Sequence, residues 1–242
     1  MIGLPDHVEV AIVGGGQAGL AAAWHLQQRG IDHVVLERAT VAHDWRDRRW
    51  DAFTLVTPNF QCRLPGFAYD GDEPDGFMTR EQTQAWLGRY RDSFDPPVHE
   101  GVEVQGLRRA EHGFTLRTSA GELTAAQVVV ATGGYHVPSI PALGASLPRH
   151  ITQVHSADYR NPESLPPGAV LVVGSGQSGA QIAEDLHLAG RTVHLALGRA
   201  PRSARRYRGR DCIAWLEDMG VYDVTVQQHL SLIHISEPTR PY

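Results

Sequence analysis

Two glycine-rich turns constrain this chain more than any other feature in it. Gly14-Gly15-Gly16-Gln17-Ala18-Gly19 stands near the start, and Gly174-Ser175-Gly176-Gln177-Ser178-Gly179 repeats its spacing far downstream. Each turn has the same surroundings. HVEVAIVG (7–14) is a short Val/Ile-rich run of the kind that forms a buried parallel strand, and a helical stretch closing at Gly30 follows the turn. IDHVVLERA then predicts a second strand ending in Glu37, with Arg38 beside it as a further cofactor-binding candidate. In such a strand–turn–helix unit the first glycine permits the tight turn, the second lets the backbone approach a pyrophosphate, and the third lets helix pack close to strand. Those roles fall to Gly14, Gly16 and Gly19. Gln17 and Ala18 open the helix, whose free N–H groups and partial positive charge favour phosphate. A carboxylate at Glu37 can accept hydrogen bonds from ribose hydroxyls and would repel a 2′-phosphate.

The second unit repeats the layout with a different ending. GAVLVVG, the turn with Gly174, Gly176, Gln177, Ser178 and Gly179, the helix AQIAEDLHLAG and the strand RTVHLALG follow one another. No acid closes that strand. It runs into Gly198-Arg199, and six of the twelve residues 199–210 are arginine. A guanidinium binds a 2′-phosphate bidentately where a carboxylate rejects it, and Arg199 is best placed. Arg202, Arg205 and Arg206 read as solvated charge. Ser178 sits where a hydrolase nucleophile would, but Gly179 follows it directly and breaks the G-x-S-x-G spacing.

Composition narrows the field. The net charge of −5 argues against nucleic acid as a partner. The 22 basic residues are all arginine, which reads as codon bias of a GC-rich genome. Cys62 and Cys212 form no C-x-x-C pair and are too few for a zinc site, and the 13 histidines form no H-E-x-x-H, so no metal is expected. No apolar run reaches the roughly 18 residues a membrane span needs, and MIGLPDHVEV lacks the features of a signal peptide. A cytoplasmic location is expected. Leu230–Tyr242, LSLIHISEPTRPY, back-translates to a transposon-end adaptor used in sequencing-library preparation, so the natural reading frame is expected to be cut near His229.

Between the turns, GVEVQGLRRAEHGFTLRTSAGELTAAQVVVATGG (101–134) reads as a β-meander entering an Ala-Thr-Gly turn. This resembles the FAD domain of flavoproteins with two dinucleotide-binding domains. The resemblance implies that Thr132 and Gly133 lie beside FAD and that Val104 offers its backbone to the adenine. Further on, VVVATGGYHVPSIP and QVHSADYRNP resemble the flavin-containing monooxygenase family, with His155, Ser156 and Tyr159 matching His-Ser-x-x-Tyr of its identifying motif. The motif's usual Phe and Gly are replaced by Arg149 and Ile151. The resemblance runs from about residue 8 to 229 and is strongest to a bacterial branch of flavoprotein oxidoreductases.

The resemblance also implies that AHDWRDRRWDAFTLVTPNFQCRLPGFAYD (42–70) wraps the flavin, with Trp45 and Arg46 along FAD and Asn59 as the catalytic candidate facing isoalloxazine and nicotinamide. Read from the residues alone, Trp45, Trp50 and Phe53 fit core aromatics equally well, and Cys62 fits a small buried hydrophobe. The expected fold is α/β: two Rossmann-like FAD/NAD(P)-binding domains of the glutathione-reductase type with a β-meander, incomplete at the C-terminus. Residues 1–148 are the expected FAD domain, 149–229 a partial NADPH domain, and 230–242 the adaptor translation. The implied cofactors are FAD and NADPH and the implied partners a small-molecule substrate and O2, with a homo-oligomer left open. The implied activity is monooxygenation, and the truncated chain is expected to bind flavin poorly and turn over little. The rival readings are an NAD(P)H oxidoreductase without oxygen insertion, and a non-catalytic redox sensor linked to ion transport.

Overall fold

The computed structural model describes residues 3–135, 137–198 and 204–225. The chain divides into two compact units, residues 1–198 and 199–242.

The first unit is organised by a six-stranded sheet. Strand β1 (His7–Val13) lies at its middle, α1 (Gln17–Gln27) follows, and β2 (His33–Glu37) pairs parallel to β1. A short helix α2 (His43–Asp47) and a small hairpin, β3 (Arg63–Leu64) with β4 (Phe67–Ala68), come next. Helix α3 (Arg80–Phe94) then leads into β5 (Val98–Glu100), parallel to β2. The meander β6 (Val104–Arg109), β7 (Phe114–Thr118) and β8 (Gly121–Val130) completes the sheet in the order β5-β2-β1-β8-β7-β6. The second unit of strand, turn and helix is β9 (Val170–Val173), α4 (Gln177–Leu188) and β10 (Val193–Ala196), with β9 and β10 parallel.

Strand β8 joins the two halves of the sheet. Its start, Gly121–Ala125, pairs antiparallel with β7, and its run from Thr124 to Val130 pairs parallel with β1. One long strand therefore carries the meander and delivers Ala131-Thr132-Gly133 beside the first glycine turn.

Burial explains the choice of elements. Leu36, Val34 and Val35 of β2 are almost fully buried, as suits a parallel strand covered on both faces. In one cluster Val8, Ala11, Val34 and Leu36 pack with Leu116, Leu123 and Ala125 of the meander. In a second, Val10, Ile12 and Val35 pack with Ala23 of α1. A third cluster joins Leu20 of α1 to Trp86, Leu87 and Tyr90 of α3, with Cys62, Leu64 and Met78. Helix α3 starts with a capping box: the Thr79 hydroxyl accepts from Gln82 N and the Gln82 side chain accepts from Thr79 N.

Trp50 and Phe53 are core aromatics, buried with Tyr159, Ile182 and Leu186 in a cluster that binds α4 to the 45–55 segment. Cys62 is buried among apolar neighbours, and burial raises its thiol pKa, so it is not an activated nucleophile. The second unit, described for residues 204–225, contains the hairpin β11 (Arg206–Tyr207) and β12 (Arg210–Asp211), then α5 (Cys212–Asp218). Asp211 caps α5 through Ile213 N and holds Arg205 at 2.6 Å.

Leu116 is fully buried where meander meets sheet, whereas Leu188 is 80% exposed at the end of α4. Leu116→Ala is expected to cost about 2–5 kcal/mol, and Leu188→Ala less than ~0.5 kcal/mol. Urea denaturation followed by circular dichroism checks the contrast.

Candidate functional site: two glycine turns and the segment between them

The first turn is shaped by what presses on it. Gly14 has φ of +111°, and a Cβ there would stand 2.5 Å from the Ala131 carbonyl oxygen. The end of β8 therefore leaves room for hydrogen only. A Cβ on Gly19 would meet the Gly14 carbonyl oxygen. That contact is the close helix–strand approach expected for the third glycine. Gly16 is different: nothing lies within 4 Å of its would-be Cβ. The open space in front of Gly16 is where a pyrophosphate would meet the backbone. No side chain caps α1, which begins at Gln17, so its first N–H groups have no side-chain acceptor.

Glu37 lies at the end of β2 with both oxygens directed. Oε2 accepts from Gly15 N at 2.7 Å and Oε1 from Ala39 N at 2.9 Å. The carboxylate is held at the lip of the turn, with lone pairs left for hydroxyl donors. The loop beyond it is also tied down. Gly101 N donates to Ala39 O, Ala42 N to Gly15 O at 3.3 Å, and Val41 N to Glu100 Oε1 at 2.7 Å. Glu100 escaped sequence analysis because an acid at the end of a short strand carries no motif.

The second turn copies the first in its backbone. Gly174 has φ of +107°, and a Cβ on Gly179 would meet the Gly174 carbonyl oxygen at 2.0 Å. Gly176 faces open space, and no side chain caps α4. Ser178 lies in the first turn of that helix. The Gln177 side chain does not face the open space, because its Nε2 donates to Thr54 O at 3.2 Å.

The remaining candidates fall in varied places. Thr132 and Gly133 follow β8, and Thr132 N is 3.3 Å from the Cβ position on Gly14, so they adjoin the first turn. Val104 begins β6, half-buried at the edge of the meander core, where the ladder shifts register before Gly106. Arg38 pairs with Asp44 at 3.6 Å. Trp45 is half-buried, packed against Leu20's cluster and against Phe53 at 6.0 Å between ring centroids. Arg46 bonds Asp47 through two nitrogens at 2.8 Å on an exposed surface. Arg49 instead is the guanidinium over the Trp45 and Phe53 rings, at 5.1 and 5.6 Å, and burial lowers its pKa. Arg199 and Arg202 lie outside the described residues.

Asn59 is buried with both ends of its amide engaged. Nδ2 donates to Glu73 O at 2.9 Å and Oδ1 accepts from Met78 N at 2.9 Å. One N–H and one lone pair remain for any further partner.

His155, Ser156 and Tyr159 form a turn that anchors the linker, the segment 136–168 between β8 and β9. His155 O accepts from Asp158 N and Tyr159 N, and Tyr159 is buried with its hydroxyl on Asp185 Oδ2 at 2.7 Å. Burial first, and Asp185 second, drive the phenol's pKa upward, so it acts as a permanent donor. Arg160 and Asn161 extend the anchor to Asp47 O and Asp51 Oδ2. Among the described residues no group of three or more His, Cys, Asp or Glu side chains could hold a metal ion, and no helix is long and apolar enough to cross a membrane.

The pyridine nucleotide-disulphide oxidoreductase family matches residues 11–218. An uncharacterised CzcO-like oxidoreductase of Geobacillus kaustophilus is 36% identical over 225 residues, covering 92% of this chain and 64% of that protein. An indole-3-pyruvate monooxygenase of Oryza sativa, YUCCA1, is 32% identical, covering 72% of this chain and 44% of that protein. A flavin-containing monooxygenase from Stenotrophomonas maltophilia superposes with a TM-score of 0.72 at 25% identity, covering 88% of this chain and 64% of that one. The chain thus spans less than two thirds of the length of these relatives. It belongs to the pyridine nucleotide-disulphide oxidoreductase family, among its flavin monooxygenase-like members.

Proposed function

We propose that the chain is the nucleotide-binding portion of an FAD-containing, NADPH-dependent monooxygenase that acts on a small organic substrate with O2. One observation carries this reading: two turns of the same backbone geometry have opposite chemistry at the end of their second strand. Glu37 fixes a carboxylate beside the first turn. Strand β10 ends without an acid and leads into the arginine-rich 199–210 segment. A carboxylate suits the ribose of FAD, and a guanidinium suits the 2′-phosphate of NADPH. The likeness to a flavin-containing monooxygenase at 25% identity supports the same reading.

The residues present suit both groups. Nothing lies within 4 Å of a would-be Cβ on Gly16 or Gly176, and both helix N-termini are uncapped, which supports a pyrophosphate at each turn. Gly14, Gly16, Gln17, Ala18, Gly19, Glu37, Arg38, Trp45, Arg46, Val104, Thr132 and Gly133 are proposed for FAD. Gly174, Gly176, Gln177, Ser178, Gly179 and Arg199 are proposed for NADPH. Residues 1–148 and 149–229 are proposed as the corresponding domains. FAD, when bound, supplies the redox chemistry by accepting a hydride from NADPH. This chain's part is to bind and orient: the turns fix the two phosphate groups, and Asn59 has one N–H left to offer the flavin–nicotinamide region.

Two measurements test the assignment. Glu37→Gln is expected to weaken FAD binding by about tenfold, the equivalent of ~1.4 kcal/mol, in a flavin-fluorescence titration. An unchanged affinity would contradict it. Arg199→Glu should weaken NADPH far more than NADH in parallel titrations, and equal losses would remove the phosphate role of Arg199.

A further inference from the structure

The Thr54 carbonyl is the point at which the second glycine turn touches the segment 42–70. It accepts from Gln177 Nε2 at 3.2 Å and from Gln181 Nε2 at 3.0 Å, and Gln181 Nε2 also stands 3.3 Å from Thr54 Oγ1. The two glutamines are four residues apart on α4, so they share one face. From Thr54 a continuous path leads to Asn59. Thr54 bridges Thr79, Leu55 N donates to Met78 O at 2.9 Å, and Met78 N donates to Asn59 Oδ1 at 2.9 Å.

Deeper on α4, Ile182 and Leu186 pack on Trp50, Phe53 and Tyr159. Apolar packing holds the helix close but sets its sliding register weakly, because it is non-directional. Hydrogen bonds to a single carbonyl do set register. Gln181 also leaves its own Oε1 buried without a partner among the described residues. An orphaned acceptor is costly, which marks a side chain placed for what its amide donates rather than for burial.

We propose that Gln181 is a positioning residue: by holding the Thr54 carbonyl it registers the second nucleotide turn on the segment that bears Asn59. Gln177 opens the helix at the turn itself. Gln181, one helical turn inside, transmits the position of the turn to residues 53–59. Occupation of the second turn therefore orders that segment through Gln181, in addition to any contact that Asn59 makes. The inference rests on the reading of the second turn as an NADPH cradle.

The test is hydrogen exchange of the peptide covering residues 53–59, followed by mass spectrometry with and without saturating NADP+. In the wild-type chain NADP+ is expected to slow exchange there by threefold on the order of magnitude, or more. Gln181→Met, which keeps the length and loses the donor, should still bind NADP+ but show no protection. Gln181→Lys, which restores a donor, should recover it. Protection that is equal in wild type and Gln181→Met, or absent in wild type while NADP+ binds, overturns the proposal. Should Gln181→Met fail to fold, the wild-type comparison alone decides. Failure of NADP+ to bind the wild-type chain would instead strike the proposed function, so the two failures are distinguishable.

Discussion

The approach of a helix to the turn that precedes it is the contact on which this architecture depends. At Gly19 and again at Gly179, an added Cβ would stand about 2 Å from a backbone carbonyl oxygen, that of Gly14 or Gly174. Any side chain there would force the helix off its strand. The helix N-terminus would then no longer point across the turn, and the open space at Gly16 or Gly176 would lose its partial positive charge. Backbone proximity, not side-chain chemistry, creates each cradle. Side chains then differentiate the two, with Glu37 locked onto Gly15 N and Ala39 N at one and no acid at the other.

The cradles are held together by contacts that use very little specialised chemistry. Trp50, Phe53 and Tyr159 fill the interface with α4, and the Tyr159 hydroxyl is fixed on Asp185. Asp51 N donates to Arg160 O at 2.7 Å, and Arg160 returns a bond to Asp47 O. The His155–Tyr159 motif thus serves here as a structural anchor between the linker and the 45–55 segment. A directional bond at the phenol and broad apolar contact around it make that anchor specific as well as strong.

Much of this was legible in the sequence, and for identifiable reasons. Both strand–turn–helix units follow from Val/Ile runs that enter glycine spacings, and the meander follows from short alternating strands broken at Ser119-Ala120-Gly121. What the sequence left open was decided by packing. Trp50 and Phe53 turned out to be core, Arg49 lies over the Trp45 ring, and Arg46 pairs with Asp47. Arg205 is likewise engaged by Asp211. The double pairing of β8 and the role of the Thr54 carbonyl could not be read at all. Backbone acceptors have no residue signature, and a strand's partners are fixed only when the sheet closes.

The central claim is that two cradles, alike in backbone, are built for different dinucleotides. Gly16 and Gly176 offer a direct test, since a Val at either position meets no atom of the chain within 4 Å of its Cβ yet fills the space a pyrophosphate needs. Binding of FAD and of NADP+ should be measured for the wild type, Gly16→Val and Gly176→Val. The account predicts that Gly16→Val loses FAD alone and Gly176→Val loses NADP+ alone, each by at least about tenfold, or ~1.4 kcal/mol. Loss of both nucleotides from either variant, or competition between them for one site, would contradict it.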